Sequence, residues 1–199
     1  MNIKPFQENG SMNFGKRHLE VMDELERMLD HEESFATMSE LAKTLKISLR
    51  TLYEIAPSKE QLIVTTVDRV LKKHGRIAME AMQKHSSPIC KLESFLKVTN
   101  QAVGPRFEKF YSSLTNMPAS ITMVDYHEEF ITDCIKTLLD EAKSAKEIQD
   151  IDTRATALLL GSLGRYFHTK KATSSLSQTA EVNSNFFTEI IINSIKKAH

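Results

Sequence analysis

Between Ser48 and Ile63 the chain reads "SLRTLYEIAPSKEQLI" and brings together Ser48, Arg50, Thr51, Tyr53 and Lys59. A planar guanidinium, two hydroxyls, a phenol and an ammonium are groups that hold phosphate oxygens and base edges by hydrogen bonding. They are not a constellation for bond-breaking. The sequence holds no nucleophile elbow, phosphate loop or HExxH motif, and no carboxylate pair in a distinctive context, so no catalytic residue is expected and the chain is not read as an enzyme. Cys90 and Cys134 lie far apart, with no CxxC and no histidine at ligand spacing. A disulfide scaffold and a metal site are therefore not expected, the thiols read as reduced, and no cofactor is implied.

The elements that must position these groups are helical. Residues 1–14 mix polar residues with Pro5 and Gly10 without a sustained period and read as a disordered tail. From Gly15 a helical period sets Leu19, Met22, Leu25 and Leu29 on one face, opposite Glu20, Asp23, Glu26 and Arg27. After the acidic break "DHEESFA", Thr37 or Ser39 can cap "MSELAKTL", whose Met38, Leu41, Ala42 and Leu45 face inward. The turn "KIS" leads to "LRTLYEIA", which Pro57 ends because a residue before proline is biased out of the α region. Ser58 then caps a long helix running to about Lys84, with Ile63, Val67, Val70, His74 and Ile77 at helical spacing. Further helices are predicted near Ile89–Val103, through Leu114, and over about Ser120–Ala145, Asp152–Thr169 and Gln178–Lys197. No strand pattern and no repeat appears, so the fold class is all-α.

Two short helices joined by a tight turn match a helix-turn-helix, whose second helix enters the DNA major groove. Here Leu52 and Ile55 point inward, leaving Ser48, Arg50, Thr51 and Tyr53 toward the groove or its walls. At "PSK" the free N–H groups opening the next helix favour a phosphate, and Lys59 adds a positive charge. Thr37, Leu41 with Ala42, Ile47 with Ser48, "TLY" at Thr51–Tyr53 and "PSKEQLI" at Pro57–Ile63 together resemble the DNA-binding module of TetR-family transcriptional regulators. The resemblance implies phosphate contacts at Thr37, Tyr53 and Lys59, and places Arg50 and Thr51 on the recognition helix. Two positions depart from the family pattern. Arg50 stands where a small residue is common, and Ala56 stands where an aromatic usually precedes "PSK", which predicts thinner packing there. The domain plan is then a helix-turn-helix domain over 15–60 and a larger helical ligand-binding and dimerisation domain over 61–199.

Charge is balanced at 26 basic and 26 acidic residues, so polyanion binding must come from a local patch. Residues 1–60 carry eight Lys or Arg against eleven Asp or Glu, but from Lys43 to Lys59 the basic Lys43, Lys46, Arg50 and Lys59 face Glu54 alone. No apolar run approaches the roughly 20 residues that span a bilayer, and no signal-peptide pattern opens the chain, so a cytoplasmic protein is expected, with no membrane partner.

By the resemblance, the C-terminal part holds an inducer pocket and a dimer interface. Phe107, Phe110, Tyr111, Met123, Tyr126, His127 and Phe130 are the expected lining for a small apolar or amphipathic ligand, with core packing as the plainer reading of each. Leu160, Gly161 and Gly164 lie in an apolar helix where glycine suits close helix approach. Phe186, Phe187, Ile190 and Ile191 spread around more of the last helix than one core stripe needs. Two such helices per subunit would form a four-helix homodimer interface. The expected function is a sequence-specific regulator of double-stranded operator DNA, acting as a repressor that its ligand releases. The rival is a helical module of the same fold that binds a protein partner.

Overall fold

The computed structural model describes residues 14–30, 37–101, 114 and 117–197. Among them nine helices follow one another: α1 (Lys16–Asp30), α2 (Met38–Thr44), α3 (Leu49–Ile55), α4 (Lys59–Met82), α5 (Pro88–Gln101), α6 (Pro118–Ser144), α7 (Thr153–Phe167), α8 (Lys170–Ser175) and α9 (Ala180–Ile195). No strand forms among the described residues, and an isolated antiparallel bridge joins Ile148 to Lys196. The predicted tail and the predicted helix after Gly104 fall almost wholly outside the described residues.

Local chemistry explains most of the boundaries. Thr37 opens α2 through a capping box: its Oγ1 accepts from the Glu40 N–H at 3.1 Å while Glu40 Oε2 accepts from the Thr37 N–H at 3.2 Å. Ser48 and Ser58 cap α3 and α4 by accepting from the N–H groups of Thr51 and Gln61. The ends of α2 and α6 share a second device. Lys46 and Lys146 take left-handed backbone (φ 52° and 60°), so that the next residue donates back to the helix, Ile47 N–H to Ala42 O and Glu147 N–H to Ala142 O. Glu147 also reaches the start of α5, where its Oε2 accepts from the Ile89 N–H at 2.8 Å and the Ser87 hydroxyl at 3.0 Å.

Three apolar clusters hold the helices. Val21, Met22, Leu25, Met28, Met38, Leu41, Leu52, Ile55, Ala56 and Leu62 pack α1 to α3 against the start of α4. Leu29, Ile63, Val64, Val67, Val70, Leu114 and Met123 form a junction between α1, α4 and α6. The largest cluster unites α5, α6, α7 and α9 around Phe95, Ile135, Leu138, Leu160 and Ile192. Helix α4 thus belongs to both ends of the molecule. Its first turns lie in the N-terminal core and its last residues, Ala78 and Met82, in the C-terminal one.

Several expectations need correction. On α1 the inward face is rotated from the predicted one: Leu19 is exposed, while Glu26 is buried with Arg69 Nη1 at 3.8 Å. Met28 and Val21 take the inward places, because the face must meet α4 as well as α2 and α3. Ile77 is exposed on α4. Helix α8 is short and was hidden in a Ser/Thr-rich stretch with no apolar period; Thr169 caps it by accepting from the Ala172 N–H.

Candidate nucleic-acid interface

The turn between α2 and α3 is built by Lys46 and Ile47, and the two helices close on Leu41, Leu52 and Ile55, none of which has any exposure. With those residues inward, the outer face of α3 is fixed. Arg50 is the most outward of its side chains, with 88% of it exposed, and Tyr53 stands 52% exposed one turn along. Ser48 is exposed at the helix start, and its Oγ lies 2.8 Å from the half-buried Thr51 Oγ1. Thr37, also exposed, keeps its hydroxyl proton available for an acceptor, since the cap uses only the oxygen. Lys59, half-buried, begins α4 beside Ser58. All six residues singled out for polyanion contact therefore sit at α3 or at the starts of the two helices flanking it.

Two further residues shape this surface. Arg50 donates from Nε to Glu54 Oε1 at 2.9 Å, one turn along α3. Glu54 Oε2 lies 3.2 Å from His18 Nε2 on α1. The Arg50 hydrogen bond first, and His18 second, hold the Glu54 carboxyl below the usual glutamate range. The pairing of Arg50 with Glu54 follows from i,i+4 spacing. That with His18, 36 residues away, could not be read without the fold. Ala56, predicted to thin the packing, is itself buried and its N–H donates to Leu52 O, closing α3.

At the other end, Phe107, Phe110 and Tyr111 lie outside the described residues. Of the remaining expected ligand contacts, Met123 and His127 are buried on α6, and Tyr126 and Phe130 are half-buried. His127 already has a partner within the chain: its Nε2 is 2.8 Å from Asp68 Oδ1 on α4, and Asp68 Oδ2 is 2.8 Å from Lys72 Nζ. Burial pushes the Asp68 carboxyl up, but hydrogen bonds from His127 and Lys72 outweigh it and leave the carboxyl below the ordinary aspartate range. Cys134, one helical face with His127, is an inert thiol pushed up to about 12 by burial and then by Asp133. Two solvent-facing clefts lie elsewhere. One of about 370 Å³ runs between α1 and the α2–α3 turn, and one of about 330 Å³ between α6 and α7 is lined by Asp125, Asp133, Arg154 and Arg165.

The expected dimer residues divide. Phe186, Phe187 and Ile190 are exposed on α9, and with Leu158, Leu159 and Tyr166 on α7 they make an apolar outer face. Ile191 is half-buried against the core, and Leu160 is fully inside it. Gly161 serves a contact within the chain. A Cβ built there would lie 2.2 Å from Thr132 Oγ1 and 3.3 Å from Thr132 Cβ, so the glycine lets α7 approach α6. The close approach that was expected between subunits is at this position an approach between two helices of one chain. Gly164, half-buried, also lies on α7.

No protein-family model matches the chain, and no curated protein matches it. Solved structures do. A transcriptional regulator from Cytophaga hutchinsonii superposes with a TM-score of 0.76 at 12% identity, covering 92% of this chain and 100% of that one. A TetR transcription regulator from Haloarcula marismortui gives 0.73 at 14% identity, with the same coverages. A TetR/AcrR-family regulator from Thermobifida fusca gives 0.71 at 14%, again over 92% and 100%. At this identity the likeness speaks for the backbone, and it runs through both the three-helix start and the helical remainder. The chain has the fold of the TetR-family transcriptional regulators.

Proposed function

We propose that the protein is a sequence-specific DNA-binding regulator that works as a homodimer and is released from its operator by a small apolar or amphipathic ligand. The observation that carries the reading is the outer face of α3, where Arg50 and Tyr53 project from a helix-turn-helix whose own core consumes every apolar residue of α3 except Leu49. Ser48, Arg50 and Thr51 would meet the major groove, and Thr37, Tyr53 and Lys59 its phosphate walls. The apolar face of α7 and α9 supports dimerisation, since Leu159, Phe186 and their neighbours are too many to leave in water on a lone chain. A two-fold dimer sets two recognition helices on one side of the duplex, at about 34 Å or more.

Coupling would pass through α4, which starts at the phosphate contact Lys59 and is tied at Asp68 to His127 of α6. A ligand that displaces α6 moves α4 and alters the spacing of the recognition helices, so ligand and DNA must weaken one another by the same factor. Calorimetry on an identified ligand, with and without saturating operator, checks the coupling: unchanged affinity contradicts it. The surplus of acid in residues 1–60 favours, as a second reading, a protein partner at the same face. Selection from a randomised duplex library separates the two. Enrichment of sites with two-fold symmetry is the expected result, and a library that returns unenriched contradicts the DNA reading.

A further inference from the structure

Resting on the DNA-binding reading, we infer that Glu54 is a positioning residue that presents Arg50 to a guanine in each operator half-site, and that His18 fixes Glu54 from behind. A guanidinium can offer two donors side by side from two edges: Nε with one terminal nitrogen, or the two terminal nitrogens together. Glu54 takes Nε at 2.9 Å, which removes the first edge from use. Among the described residues no hydrogen bond occupies the two terminal nitrogens, and the side chain is 88% exposed. The edge that remains matches guanine O6 and N7, the paired acceptors of the major groove. An unrestrained arginine on this face would serve a phosphate equally well. Restraint at Nε turns a mobile charge into an oriented fork and removes part of the rotamer entropy that base contact would otherwise cost.

Glu54 is itself held. Its second oxygen meets His18 Nε2 at 3.2 Å, and the ring of Phe14 lies edge-on to His18 with centroids 6.1 Å apart. The carboxylate thus spans α3 and α1, a placement that a purely solvated i,i+4 pair does not need. Carrying a negative charge toward DNA opposes binding in general. A carboxylate at this place is compatible with binding where orientation contributes more than the charge costs. This leads to opposite effects on affinity and on discrimination, which a structural role alone would not produce.

The test uses full-length protein and the duplex enriched from a randomised library, with each half-site guanine replaced in turn by 7-deazaguanine, which lacks the N7 acceptor. Wild type is expected to lose roughly tenfold affinity at one such guanine. Arg50→Ala should be indifferent to that replacement. Glu54→Ala should bind a random duplex as tightly as wild type or more tightly, yet lose most of its sensitivity to N7. Glu54→Gln, whose amide oxygen can still accept from Nε, should keep most of it. Full N7 sensitivity in Glu54→Ala, or in Arg50→Ala, overturns the inference while the regulator reading stands. A library that yields no enriched site overturns both.

Discussion

Lys146 ends α6 with φ 60°, a conformation that costs a side-chain-bearing residue on the order of 1 kcal/mol against glycine. It ends a helix of the C-terminal cluster, whereas α3 packs in the N-terminal one, so Lys146→Gly is expected to raise the melting temperature by roughly 2–4 °C without touching the proposed DNA affinity; calorimetry reads this directly. Lys46 has the same strain at the α2–α3 turn, but there the lysine adds charge beside the face proposed to meet DNA. At this scale the sequence is most transparent where partners are close along the chain. The capping roles of Thr37 and Ser58 follow from the residues themselves and the three that come after. Lys46 and Lys146 escaped notice because glycine is the usual signal for a left-handed cap, and neither site has one. The Glu54 to His18 contact was equally hidden, since nothing in either segment names the other.

Between elements, the tie from α4 to α6 is the one with the most at stake. Removing Asp68 leaves His127 buried without that acceptor, and Asp68→Ala should cost about 2 kcal/mol, measured by denaturant unfolding. The pH dependence has a definite sign. A carboxyl whose folded pKa is lowered contributes stability above its unfolded value, about 4, and that contribution is lost as the pH falls through the folded value. Asp68→Asn should therefore flatten the acid limb of stability below about pH 4. At the α6–α7 crossing, Gly161→Ala should destabilise by about 1–3 kcal/mol, and Thr132→Ala should recover part of that loss in the double variant. Helix existence was legible from apolar period, but helix pairing was not. Glycines in an apolar helix signal close approach without saying to what, and here Gly161 answers to Thr132 of its own chain. The rotated face of α1 has a similar cause: a period picks out a stripe, and the stripe shifts when one helix must meet two neighbours at once.

At the scale of the molecule, α4 is the one element shared by all three apolar clusters. A rod 24 residues long, packed at both ends, is the element through which the proposed coupling would pass. In the proposed dimer, the outer face of α7 and α9 would bring two such rods together. Leu159→Asp with Phe186→Asp should convert a dimer to monomers in sedimentation equilibrium and weaken operator binding at least tenfold, since each half-site then binds alone. The all-helical plan and the helix-turn-helix could be read from the sequence because both rest on local pattern. A ligand site could not be: aromatic residues at helical spacing look alike whether they line a cavity or fill a core, and His127 proves to be engaged by Asp68. The most direct test of the central claim is a titration of wild type and Arg50→Ala against the enriched duplex and a scrambled one, at several salt concentrations. Wild type should prefer the enriched duplex by a hundredfold or more (on the order of 10³ for specific sites), with affinity for both falling as salt rises, and Arg50→Ala should lose most of that preference. Equal binding of the two duplexes by wild type at every salt concentration would contradict the account.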